Sequence, residues 1–259
     1  MICNYHTHTV RCHHAEGEDR DYIEAALTHG MKKLGFSDHI PFVFPDGSRS
    51  DYRVSPEEVG DYFSSLRALR KEYRDKIEIA IGFEMEYYPK YFDEMLENAR
   101  GWGAEYLILG EHFTRSEHPG GFYCGCATSD LSELKCFVDD TVSGIESGVF
   151  SYVAHPDLIH FVGDEAAYER EMRRICIAAA EHDMPLEINL LGIRGGRCYP
   201  AYRFWRIAGE VGCRAVLGAD AHRPCDVADA DSEYAARALA NECGVEITED
   251  PKIILRRTI

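Results

Sequence analysis

The chain is short of basic charge: 28 Lys and Arg stand against 45 Asp and Glu, giving a formal net charge of −17 over 259 residues. A broad nucleic-acid surface needs clustered cations to displace counterions, so no nucleic-acid partner is expected. No apolar run reaches the roughly 20 residues of a membrane-spanning helix, so no membrane role is expected either. Low-complexity tracts are missing. Met1-Ile2-Cys3-Asn4 lacks the basic-then-apolar pattern of a secretory leader. The ten cysteines are scattered, which reads as reduced thiols in a cytoplasmic protein rather than a disulfide framework. The close pair Cys124-Gly125-Cys126 reads as a turn with two small residues.

What is present is ordinary for a globular domain: 45% hydrophobic and 28% charged residues. The length lies in the range where α/β barrels run as single units, so residues 1–259 are expected to form one domain with a large core.

Strand and helix patterns alternate along the chain. A first strand spans 2–9, where alternation puts His6 and His8 on one face. A helical stripe over 19–34, interrupted by Gly30, leads to a short buried strand at 34–39. Residues 40–53, with Pro41, Pro45 and Gly47, read as a functional loop over a pocket. Ser55, Pro56 and Glu58 read as N-cap, first helical residue and capping-box partner of a helix running to about residue 75. Strands follow at 77–83, 106–109, 152–156, 186–189 and 215–220, with helices at 91–102, 129–147, 165–182, 202–211 and 231–243. A glycine-rich loop through Gly120, Gly121 and Gly125 follows the strand at 106–109.

Such regular alternation predicts a parallel sheet, open or closed into a barrel. Barrel closure is favoured by where the polar residues fall. His6, His8, His39, Glu84, His112, His155, Asn189, Asp220 and His222 all sit at the carboxyl end of a predicted strand, where barrels collect their chemistry. Of twelve histidines, six lie at such exits, while His29 and His182 fall in helices. Packing alone does not explain that concentration.

His6-Thr7-His8-Thr9, the histidine six residues after His8, Ser37-Asp38-His39, Gly82-Phe83-Glu84, Gly110-Glu111-His112-Phe113, Ala154-His155-Pro156-Asp157, Glu187-Ile188-Asn189 and Gly218-Ala219-Asp220-Ala221-His222 together resemble the polymerase-and-histidinol-phosphatase (PHP) superfamily. Within it the chain looks most like the monofunctional histidinol-phosphatases. The likeness runs from Met1 to about Pro224. It implies a distorted (β/α)7 barrel, and two or three divalent metal ions (zinc, iron or manganese) at the strand ends. Carried over residue by residue, His6, His8, Glu84 and Asp220 hold a first metal. Glu84 bridges to a second, held also by His112 and His155, and His14, His39 and His222 hold a third.

The implied reaction converts L-histidinol phosphate and water to L-histidinol and phosphate. Two cations about 3.5 Å apart sharpen a bridging hydroxide, and Glu84, Asp220 and His222 carry the catalytic roles. Arg194 resembles the arginine that grips phosphate, with Asn189 beside it. Arg197, His160 and His118 lie in loops at the active end, as substrate contacts or as solvated side chains. Another small phosphate ester, of a nucleotide or a sugar, stays open as substrate, as does a non-catalytic metal-binding module.

Several residues carry two readings. His14 fits the family spacing, yet His13 competes with it. Glu86 is read as a solvated strand end, with support of the metal site as the alternative. Asp38 and Asp157 either orient neighbouring histidines or cap turns. Glu111 and Leu190-Leu191 depart from the family pattern and bear on the esterified group; Glu111 either meets a substrate cation or is a surface charge. Tyr87, Tyr88, Tyr91 and Phe92 read as packing.

Overall fold

A computed structural model describes residues 1–118, 120–253 and 255. The chain runs β1 (Cys3–Asn4), α1 (Asp19–Thr28), β2 (Lys33–Phe36), α2 (Val59–Tyr73), β3 (Glu78–Ile81), β4 (Phe83–Met85), α3 (Phe92–Trp102), β5 (Leu107–Leu109), α4 (Leu131–Ser147), α5 (Glu165–Glu181), β6 (Leu186–Asn189), α6 (Leu190–Arg194), α7 (Tyr202–Val211), β7 (Arg214–Gly218), α8 (Ala230–Cys243) and β8 (Glu246–Ile247). All strand pairs are parallel. The strands are buried nearly throughout, as parallel strands covered by helices must be.

The fold is α/β, as the alternation predicts, with the ladders divided into three sheets ordered β1-β2-β3, β4-β5 and β6-β7-β8. Single bridges join them: His39 to Glu84, Leu109 to Val153, Val153 to Leu186, and Thr7 to Ala221. Among the described residues the ladders do not merge into one closed sheet. The strand expected at 77–83 breaks at Gly82, where a Cβ would sit 2.3 Å from the Tyr106 carbonyl oxygen. The chain changes partner there, β3 pairing with β2 and β4 with β5.

Other boundaries move for local reasons. The first strand shrinks to two residues because the backbone beyond Asn4 bonds instead to Ala221 (His8 N to Ala221 O, 2.9 Å). No ladder forms at 152–156. Ser151, Val153 and Ala154 donate to Leu107, Pro185 and Leu109, but His155 turns into the left-handed region (φ 30°) and Pro156 follows. Ser55 does bond Glu58 (Oγ to Oε2, 2.6 Å), yet α2 starts only at Val59. The short β8 and α6 are additions to the expected pattern. Tyr88, Tyr91 and Phe92 lie in the core, as read, and all ten cysteines are free thiols.

The loop at 40–53 is tied down by one buried guanidinium. Arg53 donates to Glu86 (2.8 Å), Glu117 (2.6 Å) and the Ile40 carbonyl (3.1 Å). Glu117 also accepts from Ser50 (2.8 Å), so the two loops over the strand ends share one charge pair. Burial pushes the Glu117 carboxyl up and Arg53 beside it overrides that, holding its pKa down to about 2. A carboxylate depressed on folding stabilises above its unfolded pKa and loses that contribution as pH falls through the folded one. We therefore expect wild type to exceed Glu117→Gln by up to about 3 kcal/mol near neutral pH. In urea denaturation, that gap should narrow as the pH falls from about 5 to 2; a gap independent of pH would remove Glu117 from this account.

Candidate metal centre

The site grows from the end of β1. Asn4 is fully buried, and its Oδ1 accepts from Ala219 N (2.9 Å) while its Nδ2 donates to Thr7 Oγ1 (2.8 Å). This staples the β1 exit to the β7 exit and aims His6 and His8 inward. His6 Nδ1 lies 2.8 Å from Glu187 Oε1, which leaves Nε2 facing Glu84 Oε2 at 3.4 Å and Asp220 Oδ1 at 3.5 Å. His8 Nε2 faces the same two oxygens at 3.5 and 3.3 Å.

Glu84 stands at the middle. Its Oε2 also meets His39 Nδ1 at 3.1 Å, while its Oε1 meets His112 Nε2 at 3.4 Å and His155 Nε2 at 2.8 Å. One carboxylate thus divides its two oxygens between two sets of imidazoles. Space for it comes from Gly110, where a Cβ would lie 2.1 Å from Glu84 Oε1. His14 enters beside this group, its Nε2 2.8 Å from His222 Nε2. His13 turns out to solvent beside Glu58 (3.4 Å), so the geometry favours His14.

Among the described residues, five overlapping sets of three donors bring their ligand atoms within 4.8 Å of one another, including His6-His8-Glu84, His39-Glu84-His112 and His14-His39-His222. All nine expected metal ligands fall into these sets. Cys12, not selected from sequence as a ligand, is fully buried with its sulfur 4.0 Å from His14 Nε2, and joins His8 and His222 in another set.

The donor set fits divalent cations. His6 Nε2, both nitrogens of His8, His39 Nδ1 and Glu84 Oε2 are buried with no hydrogen-bond partner among the described residues. Burying such groups unpaired is costly, and a cation would satisfy them together. Burial pushes Glu84 up, but the charges of His112 and His6 and the hydrogen bond from His155 more than reverse that, so its carboxyl is held well below the usual range. Asp220 is depressed in the same way, with His6 and His8 overcoming burial. Burial drives His39 and His222 well below 6.5, leaving them neutral, as ligands must be. His155 (φ 30°) and Asp220 (φ 45°) hold left-handed backbone conformations that non-glycine residues adopt at a cost of about 1–3 kcal/mol, typically where function demands it.

Supporting carboxylates orient the imidazoles. Glu86, read from sequence as a solvated strand end, is instead fully buried, set 3.0 Å from His112 Nδ1 and bonded to Arg53. Asp38 accepts from the backbone and hydroxyl of Thr9 and lies 3.6 Å from His8 Nδ1. Glu187 was not singled out by sequence reasoning. Its Oε1 holds His6, and its Oε2 accepts from His155 N (3.0 Å) and Asn189 Nδ2 (2.9 Å). The available signal was its position two residues before Asn189, on the same strand face.

The remaining candidates divide. A cavity of about 540 Å³ opens above the centre, and Arg194 and Arg197 line it. Arg194 Nη2 donates to the Asp220 carbonyl (2.7 Å), its Nε lies 3.6 Å from Asp226, and its Nη1 is buried without a partner among the described residues. Arg197 donates to Tyr199 (3.0 Å). Asn189 does not line the cavity: its amide is consumed by Glu187, Asp220 (3.1 Å) and Gly192 N (3.0 Å). His160 lines a separate surface pocket with Asp157 and Arg203, and His118 packs on Phe44. Asp157 caps Ala201 N rather than orienting a histidine. Glu111 is neither surface charge nor cavity wall, being buried and accepting from Tyr87 N. Tyr52, Phe113, Tyr123 and Asp226, which line the cavity, were not selected from sequence as site residues.

The fold and this centre define an α/β protein with a cluster of metal-ligating side chains at its strand ends. The PHP domain profile matches residues 4–190, and the chain belongs to that family. A probable histidinol-phosphatase of Deinococcus radiodurans is 30% identical over 234 residues, covering 87% of this chain and 88% of the relative. The histidinol-phosphatase of Bacillus subtilis is 26% identical, covering 92% and 98%. The crystal structure of the Lactococcus lactis histidinol phosphate phosphatase, complexed with zinc, L-histidinol and phosphate, shares the fold at a TM-score of 0.73, with 20% identity and 95% of each chain covered.

Because Glu187 fixes the His6 imidazole and the His155 backbone N–H without being placed to bind metal itself, Glu187→Gln should weaken metal retention by about 10–100-fold. Residual metal after dialysis against graded chelator measures this. Wild-type retention would mean that His6 needs no such partner.

Proposed function

We propose that this chain is a metal-dependent phosphomonoesterase, a histidinol-phosphatase that releases phosphate from L-histidinol phosphate. The observation that carries the reading is the division of the two Glu84 oxygens between His6, His8 and His39 on one side and His112 and His155 on the other, beneath a cavity lined by Arg194. The names of its relatives support the same substrate. In this reading residues 1–259 act as one PHP metallohydrolase unit. A distorted seven-unit barrel belongs to this reading, and the single bridges that join neighbouring ladders support it. The protein works in the cytoplasm; among the described residues no helix is long and apolar enough to cross a membrane.

His6, His8, Glu84 and Asp220 would hold a first divalent metal, His112 and His155 with Glu84 a second, and His14, His39 and His222 a third. Nitrogen and oxygen donors suit zinc, iron or manganese. Such ions supply Lewis acidity and lower the pKa of a bound water toward neutrality. The chain's own residues do the rest. Glu84 and Asp220, kept ionised, offset the cationic charge. Arg194 offers a planar fork to phosphoryl oxygens, held in place by the Asp220 carbonyl and Asp226. His222 lines the cavity wall, where as a metal ligand it would place Lewis acidity beside the leaving alkoxide. A sugar or nucleotide phosphate remains a second reading of the same machinery, and phosphate release from a panel including L-histidinol phosphate separates the two. Replacement of L-histidinol phosphate by another member as the best substrate would overturn the first.

His155→Ala should abolish turnover of metal-reconstituted protein while circular dichroism stays that of wild type; near wild-type phosphate release would strike His155 from the ligand set. Arg194→Ala should retain its metals by elemental analysis yet lose about 10²–10³-fold in kcat/KM, as when a charge-stabilising donor is removed. Loss of metal in that variant would show that Arg194 had been given the wrong role.

A further inference from the structure

Part of the cavity wall beside the metal centre is aromatic, with Tyr52, Phe113 and Tyr123 in its lining. Beyond His112 the chain folds back on itself, with Thr114 N bonded to Phe122 O (3.0 Å), Cys124 N to His112 O (2.8 Å), and Phe113 bridged antiparallel to Tyr123. Cross-strand partners share a face, and the Phe113 and Tyr123 rings meet with centroids 5.3 Å apart. From the loop at 40–53, Tyr52 stacks on Phe113 at 6.1 Å and 17°, its hydroxyl accepting from Arg53 (3.2 Å). Tyr52 also meets His39 edge-on at 5.1 Å. The three rings form one surface that begins beside two imidazoles of the metal centre.

Burial is graded along it. Phe113 is half-buried, and Tyr123 is 39% exposed, although both line a concave cavity. Apolar ring surface left wet in a concavity gains free energy only when something covers it, and a flat face beside a charged centre suits a flat group on an anionic molecule.

We propose that Phe113 and Tyr123, backed by Tyr52, form a ring-binding subsite that selects small phosphate monoesters whose alcohol carries a planar aromatic or heteroaromatic ring. This rests on the phosphatase reading and deepens it. The imidazole of histidinol phosphate is one such ring, and as a cation it would also be drawn to the aromatic faces. The subsite grips the ring alike in ground and transition states, so its signature is in KM rather than kcat.

The test compares kcat/KM for L-histidinol phosphate with that for alaninol phosphate, which lacks only the imidazole, and for benzyl phosphate with propyl phosphate. Wild type should favour the ring-bearing ester of each pair. In Tyr123→Leu that preference should fall roughly tenfold, through KM, with metal content by elemental analysis unchanged. Tyr123→Phe keeps the ring and should keep the preference. No ring preference in wild type overturns the proposal, as does loss of preference in Tyr123→Phe or an undiminished one in metal-replete Tyr123→Leu. A chain that prefers benzyl to propyl phosphate, with Tyr123→Leu losing that preference, while leaving L-histidinol phosphate intact would keep the subsite and refute the histidinol reading alone.

Discussion

Everything in the upper half of this molecule depends on one buried carboxylate and the nitrogens gathered around it. Glu84 is 1% exposed and has five imidazoles within 3.5 Å. Two nearby carboxylates, Asp220 and Glu187, compete for His6. With protons alone, the arrangement is frustrated: His6 and His8 are drawn toward protonation by carboxylates despite burial, while His39 and His222 are driven to neutrality. Divalent cations resolve the conflict, because they accept neutral nitrogen and ionised oxygen at once. The cluster therefore makes chemical sense as a metal centre and poor sense as packing.

What keeps the ligands aimed is a layer of buried acids behind them. Glu187 sets His6, Glu86 sets His112, and Asp38 lies behind His8. A ring nitrogen so engaged fixes which nitrogen points inward. Arg53 extends this layer outward, since the guanidinium that binds Glu86 also anchors the loop bearing Tyr52 and reaches Glu117. One guanidinium thus joins the orientation of a metal ligand to the shape of the cavity mouth.

The legible part of this architecture was the part governed by short-range pattern. Alternation in Ile2–Thr9 aims His6 and His8 the same way, and the segment at 186–189 forms the strand it predicts. Six histidines at strand exits announced a centre because parallel strands deliver those exits to one end. Glu86 was misread because alternation says which face a residue takes, not whether a distant loop will cover it; Arg53, thirty-three positions away, supplies the cover. The surroundings of His160 and Asn189 were hidden for a similar reason. One is carried to a separate pocket by Asp157 and its neighbours, and the other spends its amide on Glu187, Asp220 and the first turn of α6. The segment at 152–156 has strand composition, but its ladder is sacrificed to the backbone turn at His155.

The overall charge of −17 conflicts with an anionic substrate only if the field is taken as uniform. Many of the acids are paired on the surface, as in Arg173 with Glu210, Arg203 with Glu165 and Arg237 with Glu249. Around the cavity Arg194, Arg197 and Arg223 stand against Glu16, Glu84, Asp220 and Asp226, and two of those four acids, Glu84 and Asp220, are ones that cations would neutralise. Asp226 pairs with both Arg194 and Arg223, which holds two guanidinium groups near one another at the rim. A metal-loaded centre then makes the cavity the positive spot on an acidic molecule. The same imbalance discourages polyanions, because a long phosphate chain would have to lie across the acidic surface surrounding that spot, whereas a small monoester fits inside it.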